Sequence, residues 1–111
     1  MYKKKINSEI EKEGYKVFPI SVDFKDVSIC KVNVNGDRKT YCKIKNSPVY
    51  YYIIDGKGSF YIENEIEVEK DDIIEIPANI KYTYKGNMTL LEFIPIAFEN
   101  LDFEENFIKW N

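Results

Sequence analysis

The 111-residue chain predicts an all-β fold, either a closed sheet or a two-sheet sandwich. Three observations carry this. Aromatic and β-branched residues come in short blocks, most densely from Val49 to Tyr84, which reads VYYYIIDGKGSFYIENEIEVEKDDIIEIPANIKYTY. Gly56, Gly58, Asn64, Asp71, Asp72 and Pro77 cut those blocks at intervals that suit tight turns. Within blocks the polarity alternates: Phe60, Ile62, Ile66 and Val68 interleave with Glu65, Glu67 and Glu69.

Taken in order, Tyr2–Tyr15 is polar and ends at Gly14, so residues 1–15 read as a frayed arm, a short helix around Ser8–Lys12 or an added edge strand. Val17–Ile20 contains Pro19, which suits an entry or edge strand. Val27–Val34 alternates as a strand, with a change of parity near Cys30 and Lys31 that suits a bulge. Asn35-Gly36-Asp37 predicts a hairpin turn into a returning strand over Lys39–Lys45. That strand has Tyr41, Lys43 and Lys45 on one face and Thr40, Cys42 and Ile44 on the other. Strands follow over Val49–Ile54, Ser59–Ile62, Glu65–Val68, Ile73–Ile76, Lys81–Tyr84 and Met88–Ile94, with turns at Asp55–Gly58, Glu63-Asn64, Lys70–Asp72, Pro77–Asn79 and Gly86-Asn87. The acidic, aromatic extension 99–111 spaces Phe103, Phe107 and Trp110 at three or four residues, which predicts a short helix packing these rings on one face.

Composition narrows the function. The net charge of -3, with lysines mixed among Asp and Glu, does not support a nucleic-acid surface. No apolar run approaches a membrane span, and no apolar segment follows the basic Tyr2–Lys5, so a cytoplasmic location with Cys30 and Cys42 reduced is expected. Histidine is absent, which removes the usual neutral-pH proton carrier and any Ser-His-Asp or Cys-His mechanism within the chain. Gly56-Lys57-Gly58 is too short for a phosphate loop and lies between strands.

From Val49 to Phe93, the run YYYIIDGKG, the strand pair after it, DDIIEIPANIKYTY and a final apolar strand resemble the small single-domain cupins. The resemblance implies a cupin-like jelly-roll barrel (a double-stranded β-helix) spanning 1–111, with its core at about 27–98 and a short C-terminal helix or extension. It also implies a homodimer. Gly56 and Pro77 match the family's two motifs, but Lys43, Lys45, Val49 and Tyr82 fall where its metal ligands stand. Cys30 with Cys42 is a thin ligand set, and Glu63, Glu65, Asp71 and Asp72 fall at turns and on a polar face, so no metal and no cofactor are expected.

In such barrels the inward face forms the ligand pocket. Mapped onto this chain, that face is Tyr41, Lys43, Lys45, Tyr51, Tyr82, Tyr84 and Glu92. Two inward lysines would attract a carboxylate or phosphate, and the tyrosines would stack on a sugar or aromatic ring. The bland reading is that the lysines snorkel to the barrel mouth, or that Lys43 pairs with Glu92, while the tyrosines pack the core. The preferred function is non-catalytic binding of a small polar or anionic molecule such as a sugar derivative. The alternatives are a metal-independent sugar or sugar-nucleotide isomerase or epimerase, with Tyr82 or Tyr84 as acid/base and Lys43 or Lys45 stabilising an enolate, and a structural or regulatory dimer with a filled interior.

Overall fold

In the computed structural model, residues 9–19 and 24–107 are described, and among them the secondary structure is all β apart from a single 3-10 turn at Phe98–Asn100. The strands are β1 (Ile10–Lys12), β2 (Tyr15–Pro19), β3 (Ser28–Asp37), β4 (Thr40–Ile44), β5 (Val49–Ile62), β6 (Asn64–Glu69), β7 (Ile73–Ile76), β8 (Thr83–Ile94) and β9 (Phe103–Phe107). One sheet runs β1-β2-β3-β8-β5-β6, with β7 also paired to β5. β4 and β9 form a second, two-stranded sheet, tied to the first by a bridge between Cys42 and Tyr82. This is the cupin jelly-roll barrel.

The long strands β5 and β8 form the spine, and glycine shapes them. Asp55–Gly58 and Gly86-Asn87 were expected as turns, and Asn35–Asp37 as a hairpin. All three stretches instead lie inside strands: Gly36 pairs with Gly86, and Gly86 with Gly58. A Cβ on Gly86 would stand 2.5 Å from the Gly58 Cα, so these glycines let strands approach one another where the sheet bends and do not reverse the chain. A register shift between Ile53 and Asp55 adds to that bend. β4 therefore does not return along β3; its partner is β9.

The chain reverses at Glu63, Asp71 and Asn79, all of which have positive φ. The core is the inward stripe of β3, β5 and β8, where Val32, Val34, Val49, Ile53 and Leu90 are all but fully buried beside Phe60. Residues 103–107 are a strand, not the expected helix. Phe103 and Phe107 also fit a period of two, and pairing with β4 satisfies the backbone that a helix would have satisfied internally. Trp110 lies outside the described residues, as does Tyr2–Ser8 of the arm. No helix among the described residues is long and apolar enough to cross a membrane.

Candidate active site

On β8 the inward parity runs Met88, Leu90, Glu92, Ile94, so Glu92 is a carboxylate set into an apolar stripe. Its cross-strand partners are Cys30 on β3 and Tyr51 on β5, both pointing inward with Val32 and Ile53. The three side chains form a row across the sheet. The Tyr51 hydroxyl donates to Glu92, and the Cys30 thiol stands beside the same carboxyl as its cross-strand partner. The Tyr82 hydroxyl lies 2.6 Å from that of Tyr51, and the Tyr82 backbone exchanges two hydrogen bonds with that of Cys42. Tyr51 and Tyr82 are almost inaccessible, whereas Glu92 keeps part of its surface in reach of water.

Burial fixes the protonation pattern. Desolvation pushes the Glu92 carboxyl above the usual carboxylate range, against the bond from Tyr51 and the field of Arg38. Desolvation also pushes Tyr51, Tyr82 and Tyr84 well above the ordinary phenol value, and the Cys30 and Cys42 thiols upward. At neutral pH these tyrosines are donors and not bases. Glu92 is the group in the row that can both take and give a proton.

A second polar cluster stands on the far side of Tyr84. Arg38, the only arginine in the sequence, is 5% exposed, and its guanidinium lies 4.6 Å from the Tyr15 ring and 4.9 Å from the Tyr84 ring. It donates to Glu105 Oε2 at 2.5 Å and to Thr40 Oγ1 at 3.3 Å. Tyr15 and Thr40 donate to the same Glu105 oxygen at 2.8 and 2.9 Å. Burial opposes the charge on Arg38, but the Glu105 carboxylate and the two ring faces hold the guanidinium, whose intrinsic pKa is very high, and Arg38 stays a cation. Burial likewise opposes the charge on Glu105, but the bonds from Arg38 and Tyr15 hold its carboxyl below the usual range. Tyr15, between them, is pushed up to about 12, chiefly by burial. The two clusters meet at Tyr84, whose ring centroid lies 6.0 Å from that of Tyr51 and 5.8 Å from that of Tyr15. A groove of about 440 Å³, lined in part by Lys12, Tyr15, Thr40 and Glu105, opens beside this cluster.

The residues read from sequence as lining the pocket divide. Tyr51, Tyr82, Tyr84 and Glu92 face inward and come together. Tyr41, Lys43 and Lys45 do not, because β4 buries Cys42 and Ile44 and so turns Tyr41 and Lys43 to the opposite face. Lys45 is exposed beyond the strand and pairs with Glu104 at 3.7 Å, and the Tyr41 hydroxyl lies 3.4 Å from Glu104. Lys43 stands opposite Glu104 in the register, so it does not pair with Glu92. The apolar alternation of Cys42 and Ile44 was the sequence signal for the correct face. Arg38, Glu105, Tyr15, Thr40 and Cys30 were missed as site residues. Arg38 and Glu105 are 67 positions apart, and no local pattern links them.

The fold family often holds a metal. Among the described residues, no group of three or more His, Cys, Asp and Glu side chains is placed to bind one. The motif positions carry Lys43, Lys45, Val49 and Tyr82, so the residues present do not fit a metal centre.

This architecture defines a jelly-roll barrel with a polar, aromatic interior. No protein-family model and no curated protein matches the chain. Solved structures do match. A His-to-Gln variant of Streptomyces PAC13 with uridine superposes with a TM-score of 0.89 at 22% identity, over 98% of this chain and 94% of that one. A structure of Pac13 described as a unique nucleoside dehydratase gives 0.85 at 21%, over 99% and 92%. Ectoine synthase from P. lautus gives 0.71 at 11%, over 93% and 83%. At these identities the likeness establishes the fold. It also corrects the preference for a non-catalytic binding protein, because the structures this chain is similar to include enzymes that work within such a barrel.

Proposed function

We propose that the chain is a metal-independent enzyme that moves protons on a small polar substrate, dehydrating or isomerising a sugar or nucleoside derivative next to a carbonyl group. The observation that carries this reading is Glu92, an inward, part-buried carboxyl set in an apolar stripe and bonded to a tyrosine hydroxyl that adjoins a second, with burial raising its pKa. A carboxyl titrating nearer neutrality is a better proton carrier than an ordinary one. In the shared first step the Glu92 carboxylate takes the proton on the carbon beside the carbonyl. The C–H electron pair becomes a C=C bond as the carbonyl π pair moves onto oxygen, giving an enolate, while the neutral hydroxyls of Tyr51 and Tyr82 hold Glu92 in place from behind. Returning the proton to a departing hydroxyl releases water; returning it to the neighbouring carbon or oxygen isomerises the substrate. The nucleoside and the dehydration come from what is said of Pac13. The chain has no histidine, so the proton transfers are assigned to Glu92 and the tyrosines.

The test is a panel of nucleoside and sugar aldehydes incubated in deuterium oxide and followed by NMR. Deuterium uptake beside the carbonyl, or loss of water, is expected with the unaltered chain and not with Glu92→Gln. A Glu92→Gln protein that keeps the full rate contradicts the assignment.

A further inference from the structure

We infer that the donors gathered around Glu105 form a carboxylate-binding subsite, and that Glu105 occupies it in place of a carboxylate carried by the substrate. The inference rests on reading the interior as an active site and adds the chemical class of substrate it takes: a sugar or nucleoside derivative bearing a carboxylate.

The donors belong to the barrel, and the acceptor belongs to a strap. Arg38, Tyr15 and Thr40 converge on one oxygen, Oε2, at 2.5, 2.8 and 2.9 Å. Lys12 of β1 stands 3.8 Å from the other oxygen. These side chains come from β1, β2, the β3–β4 link and β4. Glu105 comes from β9, whose pairing partner is the five-residue β4 and not the large sheet. The cage is held in shape without Glu105: the Arg38 guanidinium is stacked between Tyr15 and Tyr84 and bonded to Thr40, so its fork is already aimed. The groove lined by Lys12, Tyr15, Thr40 and Glu105 gives an incoming ligand a path to three of these donors, with the buried Arg38 behind them. Glu105 is 23% exposed at its side chain, so it borders that path and is not sealed beneath it.

Position favours a substrate group over an unrelated anion. Tyr84 separates the cage from the Glu92 row and touches Tyr15 on one side and Tyr51 on the other. A carboxylate held at Arg38 would therefore sit against the Tyr84 ring, which packs in turn on Tyr51 of the Glu92 row. Because Glu105 competes for the cage, the intact protein should bind a carboxylate less tightly than a protein lacking that side chain.

Acetate is the probe, with chloride at equal ionic strength as the reference. Calorimetry on Glu105→Ala should give acetate binding at least tenfold tighter than on the intact chain, and Glu105→Ala/Arg38→Gln should lose it. Equal affinity in all three overturns the subsite. If Glu105→Ala does not fold, the intact chain is titrated to molar acetate while the Arg38 Nε–H resonance is followed; the resonance should shift as Glu105 is displaced, and an unmoved one overturns the subsite. The outcome is independent of catalysis. Acetate binding with Glu92→Gln fully active leaves the subsite standing and contradicts the Glu92 assignment, and the reverse pattern does the opposite.

Discussion

Tyr51 on β5 and Glu92 on β8 are direct cross-strand partners, and the tyrosine hydroxyl donates to the carboxylate from within the barrel. Neither neighbouring stripe residue, Leu90 or Ile94, could do so. The pairing therefore places one titratable group in an apolar wall with a neutral donor fixed beside it.

Glu92→Gln keeps the side chain's shape and removes its proton chemistry. Turnover should fall by about a hundredfold or more, the usual worth of a positioned acid–base group. Circular dichroism and thermal melting should show the fold retained.

Tyr51→Phe removes a bond that favours the charged form of Glu92. The Glu92 pKa should rise further, shifting the limb of the pH–rate profile governed by its deprotonation to higher pH. Loss of this bond, with the Tyr82 hydroxyl left behind, should cost about 1 kcal/mol in urea unfolding.

Stability should depend on pH in opposite senses through the two interior carboxyls. The folded pKa of Glu92 lies above its ordinary value of 4.5, so its contribution is fully present below 4.5 and is lost as pH rises through the folded value. The folded pKa of Glu105 lies below 4.5, so its contribution is present above 4.5 and is lost as pH falls through the folded value. Melting temperature against pH should lose part of its alkaline decline in Glu92→Gln and part of its acid decline in Glu105→Gln.

Arg38→Met strips the guanidinium from Glu105 and from between two rings. The loss should be about 3 kcal/mol, at the low end for a broken buried pair because Glu105 is 23% exposed. Arg38→Met/Glu105→Gln should cost less than the sum of the single changes, as denaturant titrations of the four proteins would show.

Much of the fold was legible because its signals are local. Alternation in Ser59–Val68 and the breaks at Glu63, Asp71 and Asn79 stand in contiguous residues. Glycine misled the reading, since Gly36, Gly58 and Gly86 mark close strand approach in the same letters that mark turns. The pairing of Tyr82 with Tyr84 followed from period two, and the inward placing of Tyr51 and Glu92 from the cupin resemblance. On β4 the family motif favoured the lysine face, while burial of Cys42 and Ile44 decided otherwise. The Arg38–Glu105 cage was not legible, because it depends on β9 folding back to β4 across more than half the chain.

The most direct test of the account is an NMR titration of the Glu92 side-chain carboxyl carbon, assigned by comparison with Glu92→Gln. A midpoint clearly above 4.5 is expected, with a further rise in Tyr51→Phe. A midpoint at or below 4.5 would mean that Glu92 is an ordinary buried anion, and the proton-transfer role assigned to it would fall.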